Sequence, residues 1–194
     1  MAIEWSRHCF HPVVVLPSGY EVLDFTTTEV PTPSHRWSVG RYDEDRRIYT
    51  QELFGGARTV HVGVDLGGPE GTAVHAFADG EVLHAGYNPA HGDYGHVVVT
   101  AHRLDGVPLY ALHGHLSAAS LGCSPRGRRF AAGDVLGWLG GETENGGWPP
   151  HVHFQLSWDP PETHDLPGAV ARSERDAALR RYPDPRRVLG MVHP

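Results

Sequence analysis

Short apolar segments separated by glycine and proline dominate the pattern of hydrophobic and polar positions along this chain. Valine, leucine, tyrosine and phenylalanine are frequent in the clearest of these segments, which are residues 59–66, 72–85, 94–116 and 131–140. Segments of this kind, bounded by turn residues, are typical of β-strands. Asp105 and Gly106, inside the third segment, predict a tight hairpin between two antiparallel strands. The sequence therefore predicts an all-β fold built on an antiparallel sheet or sandwich.

The pattern is weaker in the N-terminal part of the chain. Residues 13–16 and 20–25 are predicted to form early strands, and Pro31 and Pro33 are predicted to interrupt strand pairing after them. Residues 34–56 contain the charged run RYDEDRR and lack a clear period. A segment of this length without periodicity predicts a long surface loop, of the kind that is often functional.

Residues 173–182, SERDAALRRY, predict a short C-terminal helix. Ser173 is a candidate N-cap, and the sequence PDP after the segment is a helix stop. The chain length of 194 residues suits one domain. We expect a single domain over residues 1–194 with three parts, namely an N-terminal β and loop region (1–56), a core (57–158) and a tail with the helix (159–194).

Charge and composition exclude several classes of function. The formal net charge of -7 argues against a nucleic-acid partner or an anionic membrane surface. No apolar run approaches the ~20 residues of a membrane span. The start, MAIEWSRHCF, lacks the features of a secretory signal, which predicts a cytoplasmic location, or an extracytoplasmic one if a leader has been removed. Cys9 and Cys123 are too few for a disulfide framework.

The chain contains 15 histidines against 16 lysines and arginines together, which raises the expectation of a metal or acid–base site. In PPHVHFQL, strand alternation predicts that His151 and His153 share one face, ~6.6 Å apart, while Val152 and Phe154 face the core. Two imidazoles at that separation can converge on one ion or substrate.

Two further segments supply groups of the same chemistry. In HVGVDL, a straight strand would hold His61 and Asp65 ~13 Å apart. A bend or bulge at Gly63 would bring them together. In LYALHGHLS, alternation predicts His113 and His115 on one face. Two histidine nitrogens and one carboxylate oxygen, with one position left open, are what a catalytic zinc ion requires.

These segments resemble the M23 family of zinc metallopeptidases, the LytM and lysostaphin type that cuts peptidoglycan peptide cross-links. HVGVDLGGPEG is similar to the HxxxD segment of the family, DYGHVVVTAH to its YGN strand, and PPHVHFQL to its HxH motif, in the family's order over residues 57–158. The resemblance implies a sheet with an open groove and Zn²⁺ bound by His61, Asp65 and His153.

The resemblance also implies that His115 and His151 are the two catalytic histidines that do not bind the metal, with the division of roles between them left open. His113 stands where the family often has tyrosine. The implied reaction is attack of a zinc-activated water on a peptide amide in a peptide or muropeptide substrate. Where the family commonly has TG.STGPH, this chain has GETENGGWPPH, which makes Trp148 a candidate for lining the groove.

The ENGGWPPHVHFQL stretch is also similar to the M23-like module of large fusion proteins with phosphotransferase-like and aminotransferase domains. Two other functions stay open: a noncatalytic groove that binds a peptide or a partner, and a metal-dependent hydrolase of small-molecule amides. A cupin, the rival metal-binding β fold, normally has a glutamate about four residues after its histidine pair. Ala119 and Ser157 occupy those positions here, which argues against a cupin.

Overall fold

The structure of the protein is a computed structural model that describes residues 2–27, 29 and 36–190. The strands of this part of the chain are β1 (Glu21–Val22), β2 (Ser38–Gly40), β3 (Glu44–Asp45), β4 (Arg58–His61), β5 (Val64–Gly67), β6 (Ala73–His75), β7 (Gly80–Asn88), β8 (Gly95–Leu104), β9 (Val107–Leu116), β10 (Arg129–Phe130), β11 (Val135–Trp138), β12 (His151–Ser157) and β13 (Ala169–Ala171). The helices are α1 (Ala119–Cys123), α2 (Arg175–Arg181) and α3 (Arg186–Leu189), with 3₁₀ turns at Trp5–Arg7, Glu52–Phe54 and Arg172–Glu174. The prediction of a mostly β fold with a short C-terminal helix is confirmed.

The described strands form one large sheet and two small ones. The eight-stranded sheet has the order β1-β2-β5-β12-β9-β8-β7-β10 and is antiparallel except for the β1–β2 pair. A three-stranded sheet has the order β13-β4-β3, and β6 pairs with β11. Strand β12 therefore lies in the interior of the large sheet, hydrogen-bonded on both edges.

The middle of the large sheet is buried on both faces. One apolar cluster includes Leu66 of β5 together with Val152 and Phe154 of β12. On the other side, residues of β4 and β8 pack against the C-terminal segment, in which Leu166 and Tyr182 are buried. Each fully buried large apolar side chain contributes roughly 1.5–3 kcal/mol, so this packing fixes the position of the central strands. Within the described ranges, no helix combines the length and the apolar character needed to cross a membrane.

The predicted hairpin is confirmed. Asp105 and Gly106 connect β8 to β9, and their positive φ angles, 50° and 79°, are those of a primed hairpin turn. The prediction of a strand over residues 13–16 is wrong. These residues have no strand partner in the described structure, although the carbonyl of Val13 accepts a bond from the His75 amide. Their apolar character reflects burial of Val13 and Val14 in the core rather than strand pairing.

The N-terminal segment is more ordered than its sequence predicts. Only Glu21–Val22 of the predicted strand 20–25 is a strand. Residues 34–56 were predicted to be a surface loop, but β2, β3 and a 3₁₀ turn lie within them, and β2 pairs with β5. Pro31, Pro33 and residues 34–35 lie outside the described residues.

The predicted C-terminal helix is present as α2, but the prediction of Ser173 as its N-cap is wrong. Ser173 lies inside the preceding 3₁₀ turn, and the carboxylate of Glu174 accepts a bond from the Ala171 amide at the entry to that turn. The helix ends before the PDP sequence, as predicted, and α3 follows. The predicted division at residues 56/57 and 158/159 stays a prediction.

Candidate metal centre

The first half of the site is built where the chain crosses from one sheet to another. Strand β4 ends at His61 in the three-stranded sheet, and β5 begins at Val64 in the eight-stranded sheet. The change of direction brings His61 Nε2 to 3.2 Å from Asp65 Oδ1. Gly63 lies at this crossing, as predicted, and a Cβ there would lie 2.4 Å from His153 Cε1. Glycine is therefore needed for close approach of the histidine ring.

Strand β12 supplies the third group. Its antiparallel register with β5 pairs His153 with Asp65, so the two side chains lie on the same face of the sheet. His153 Nδ1 lies 3.2 Å from Asp65 Oδ1 and 2.9 Å from His61 Nε2. All three residues are buried. One nitrogen of each histidine and one carboxylate oxygen thus converge on a single point.

Hydrogen bonds on the far side of each ring assign the protons. His61 Nδ1 donates to the Arg41 carbonyl at 2.7 Å. His153 Nε2 donates at 3.0 Å to Gln155 Oε1, and Gln155 Nε2 donates to the Pro167 carbonyl, which orients the amide. Because a carbonyl can only accept, the facing nitrogens, His61 Nε2 and His153 Nδ1, carry lone pairs.

The donor set fits a zinc ion. Three hydrogen-bond acceptors lie 2.9–3.2 Å from one another in a buried place, and a cation between them would relieve their mutual repulsion. Ligands ~2.0–2.2 Å from a tetrahedral ion lie ~3.3–3.6 Å apart, so small side-chain shifts suffice to bind it. Two neutral imidazoles and one carboxylate are donors that zinc favours.

The charge state of the site favours metal binding at neutral pH. Burial lowers the pKa of His61 to about 4, and the neighbouring Arg46 cation acts in the same direction. Burial alone would raise the pKa of Asp65, but the adjacent His61 and Arg46 hold it well below its usual range. The ligand groups are therefore a neutral imidazole and an ionised carboxylate, the forms that bind a divalent ion.

Two further histidines lie beside this group. The rings of His115 and His151 are 4.3 Å apart, and His151 Nε2 lies 3.9 Å from Asp65 Oδ1. His115 Nδ1 donates to the Asn145 carbonyl and His151 Nδ1 to the Pro149 carbonyl, each at 2.7 Å. Each ring therefore keeps an unprotonated Nε2. Burial lowers the pKa of both imidazoles.

The prediction that His113 and His115 share one strand face is wrong. His113 pairs with Phe154, is fully buried, and contacts the Phe154 ring in the core. His115 has a φ of 62°, a left-handed conformation that breaks the alternation and turns its side chain to the site. Its amide donates to the Tyr94 carbonyl, which holds this conformation.

The site opens into a groove of about 860 Å³ whose lining includes Asp65, His115, His151 and His153. Trp148 also lines the groove, which is the position predicted from the sequence. Its ring lies 6.4 Å from that of His115 and 6.3 Å from that of Tyr49, edge-on in both cases. The groove wall next to the candidate metal centre is therefore aromatic.

Asn145, which sequence reasoning did not identify, fixes this wall and one histidine together. Its Oδ1 accepts bonds from the amides of Gly147 and Trp148, and its Nδ2 donates to the carbonyls of Trp148 and Gly140. Its own carbonyl accepts the proton of His115 Nδ1. The side chain is fully buried, so one amide sets the shape of the turn before β12.

Arg46 and Gln155 are two more contacts of the candidate ligands that the sequence did not reveal. Gln155 lies two residues after His153 on the same strand, so alternation could have indicated it. Arg46 contacts Asp65 through Nη1 at 2.6 Å. It lies in the charged run of the predicted surface loop, where no sequence signal distinguished it from its charged neighbours.

Comparison with curated proteins finds partial relatives. The chain is 35% identical over 96 residues to the DD-carboxypeptidase/endopeptidase Mpg of Neisseria meningitidis serogroup B, covering 50% of this chain and 20% of Mpg. It is 34% identical over 86 residues to the murein hydrolase activator NlpD of Salmonella dublin, covering 44% of this chain and 20% of NlpD. The chain thus spans about a fifth of the length of these relatives.

Among solved structures, the catalytic domain of the antimicrobial peptidase lysostaphin from Staphylococcus simulans is similar, with a TM-score of 0.42 and 24% identity. That similarity covers 59% of this chain and 77% of the lysostaphin domain. The sequence itself matches peptidase family M23 over residues 59–164, which is more than half of the chain. The matched region contains each of the histidines and the aspartate described above, and the chain belongs to peptidase family M23.

Proposed function

We propose that this protein is a zinc-dependent peptidase that hydrolyses an amide bond in a peptide or muropeptide. The observation that carries the proposal is the convergence of three acceptor atoms, from His61, Asp65 and His153, within 2.9–3.2 Å at the wall of an open groove. Membership of peptidase family M23 and the similarity to Mpg, a DD-carboxypeptidase/endopeptidase, support the same reaction class.

When bound at these three residues, zinc would supply a Lewis acid for the scissile carbonyl and lower the pKa of a water in its open position. His115 and His151 would carry out the proton transfers. Because burial lowers the pKa of both rings, they are neutral at neutral pH and can accept a proton through Nε2. Once protonated, the same Nε2 can donate to the oxyanion or to the leaving amine.

The hydrogen bonds of His115 Nδ1 and His151 Nδ1 restrict proton transfer to the Nε2 atom of each ring. Each Nδ1 proton is donated to a backbone carbonyl at 2.7 Å, so neither ring can take up its proton on that side. His151 Nε2 lies 3.9 Å from Asp65 Oδ1, whereas the ring of His115 lies 6.4 Å from that of Trp148 in the groove wall. We assign His151 to the proton next to the attacking water and His115 to the substrate side of the site.

The groove supports a peptide as the substrate class. Its volume of about 860 Å³ is large enough for several residues of an extended peptide, and tyrosine, tryptophan and proline side chains line it together with polar groups. A second function also has an observation in its favour. NlpD is a murein hydrolase activator, which supports a groove that binds a peptide or partner protein without cutting it.

Elemental analysis and turnover together test the proposal. The wild type is expected to bind about one zinc per chain, whereas His61→Ala and His153→Ala lose it. His115→Ala keeps zinc and loses at least ~100-fold in turnover, the usual size of an acid–base contribution. Turnover is followed as new amino groups released from cross-linked muropeptides and short peptides.

His75→Ala is the matched control. His75 is a strand histidine whose Nδ1 bonds the Gly133 carbonyl outside the groove, so this variant keeps both zinc and turnover. If His61→Ala, His153→Ala and His115→Ala all kept full turnover, the proposal would be wrong. Zinc binding without turnover on any tested peptide, together with peptide binding in the groove, would favour the noncatalytic function instead.

A further inference from the structure

Arg46 is a buried cation between two buried carboxylates. It follows β3 directly and is 3% exposed. Its Nε donates to Glu44 Oε2 at 3.0 Å, and its Nη1 donates to Asp65 Oδ2 at 2.6 Å and to the Tyr49 hydroxyl at 3.0 Å. A guanidinium this deep in a protein is uncommon unless it is paired, and here one of its partners is a candidate metal ligand.

The hydrogen bond from Arg46 Nη1 to Asp65 means that the two carboxylate oxygens of Asp65 have different partners. Oδ2 is held by Arg46, whereas Oδ1 faces His61 Nε2 and His153 Nδ1 at 3.2 Å each. A free carboxylate can bind a metal ion through one oxygen or through both. Oδ1 is therefore the oxygen placed to bind an ion, and the charge-assisted hydrogen bond from Arg46 opposes a rotation of the carboxylate that would bring Oδ2 to the same ion.

We propose that Arg46 is a positioning residue that restricts Asp65 to binding the metal through one oxygen and so keeps a coordination position open for water and substrate. The inference rests on the proposed function, because it concerns the same divalent ion. Two protein nitrogens and one oxygen leave the fourth tetrahedral position free for water, whereas a second aspartate oxygen bound beside that water would raise the coordination number to five and crowd the position.

The neighbouring residues fit a positioning role for the arginine. Glu44 is 4% exposed and compensates the charge of Arg46, so the three groups together carry the same net charge as Asp65 alone. The arginine thus orients Asp65 while Glu44 offsets part of its positive charge. The two ends of its planar fork contact residues of β3 and β5, a geometry that the single ammonium of lysine cannot reproduce.

Replacement of Zn²⁺ by Co²⁺ gives a direct measure of coordination number, because four-coordinate Co²⁺ absorbs visible light several-fold more strongly than five- or six-coordinate Co²⁺. In the wild type we expect the strong absorption of a four-coordinate ion. In Arg46→Met we expect a several-fold weaker band, since Asp65 can then bind through both oxygens. Competition with a chelator is expected to show Zn²⁺ binding weakened about 10–100-fold, the usual effect of losing such a contact.

Two further variants keep the test informative. Arg46→Met leaves Glu44 buried without its closest charged partner, which can unfold the protein, so the double variant Glu44→Gln/Arg46→Met replaces both charges together. Arg46→Lys keeps the charge, and we expect an intermediate spectrum. Arg103→Met is the control, because Arg103 Nη1 donates to the Gly106 carbonyl at the β8–β9 hairpin and Arg103 does not line the groove, and it should match the wild type.

The outcomes separate this inference from the proposed function. Folded Arg46→Met or Glu44→Gln/Arg46→Met protein with the wild-type Co²⁺ spectrum and a Zn²⁺ dissociation constant within threefold of the wild type would overturn the positioning role alone. Wild-type protein that binds neither Co²⁺ nor Zn²⁺ would overturn the metal site itself, and the inference with it. A weakened band in these variants, with Arg103→Met unchanged, supports both.

Discussion

Gly63→Ala should weaken the proposed zinc binding while the protein still folds. An added Cβ at Gly63 would lie 2.4 Å from Cε1 and 2.6 Å from Nε2 of His153, and 3.0 Å from the carbonyl oxygen of Phe154. The φ of Gly63 lies outside the left-handed region, so the backbone itself accepts alanine. The cost of the substitution therefore comes from the ring of a candidate ligand.

The size of the effect follows from these distances. Ordinary contact with a Cβ begins at 3.4 Å, so the His153 ring must retreat by about 1 Å. Metal–ligand distances tolerate only ~0.2 Å, and the ring would also strain its bond to Gln155. We expect zinc binding to weaken by at least about tenfold. Overpacking of this kind costs ~1–3 kcal/mol of unfolding free energy, which lowers the melting temperature by about 2–12 °C.

The assay pairs a zinc titration against a chromophoric chelator with thermal unfolding of the same samples. Gly122→Ala is the control, because a Cβ at Gly122 meets nothing within 4 Å, and it should bind zinc as the wild type does. Gly63→Ala protein that binds zinc within threefold of the wild type, with an unchanged melting temperature, would refute the reasoning. This result would mean that the His153 ring accommodates the added Cβ and can still bind zinc.

Three other predictions follow from contacts of buried side chains and from the metal itself. Asn145→Asp should keep zinc and lose at least ~10-fold in turnover, because a carboxylate facing the Trp148 carbonyl distorts the turn that orients His115; zinc content and kcat measured on one preparation check this. Burial lowers the pKa of His113 to about 3, so its imidazole is neutral in the folded protein and protonated in the unfolded chain below pH 6.5. Unfolding free energy should therefore fall as the pH falls from 6.5 towards 3, by up to ~1.4 kcal/mol per pH unit from this group. Urea unfolding at several pH values should show that the unfolding free energy of His113→Leu falls less steeply with pH than that of the wild type. Zinc at 100 times its dissociation constant should add ~2.7 kcal/mol of stability, and thermal unfolding with and without a chelator measures this; an unchanged melting temperature would contradict a site in the folded state.

The sequence predicts the site well where the strands are regular. Strand β12 is hydrogen-bonded on both edges, so its pleat is uniform, and alternation correctly assigned Val152 and Phe154 to the core. Gly63 correctly indicated a bend. The same argument failed at His115, because a single residue with a φ of 62° reverses the alternation. A conformation that costs non-glycine residues ~1–2 kcal/mol leaves no mark in the pattern of apolar positions.

The contacts of Arg46 with Asp65 and of Asn145 with His115 could not be predicted from the sequence. Arg46 lies in a charged run without a period, and its burial depends on β2 pairing with β5, which local sequence does not encode. Asn145 resembles an ordinary turn residue, yet its amide makes bonds to several backbone groups. The contact of Arg46 with Asp65 and that of the Asn145 carbonyl with His115 form only after the sheets have assembled, so the pattern of short segments does not reveal them.

Because the chain crosses between two sheets from His61 to Asp65, the number of residues in this segment is fixed. His61 is fixed by pairing with β3 and β13, and Asp65 by pairing with β2 and β12. An inserted or deleted residue between them cannot be absorbed on either side without shifting a strand register, which would turn every following side chain to the opposite face. This segment should therefore be among the least tolerant of length variation in the chain, whereas the β8–β9 hairpin at Asp105–Gly106 lies at an exposed tip where extra residues can be added.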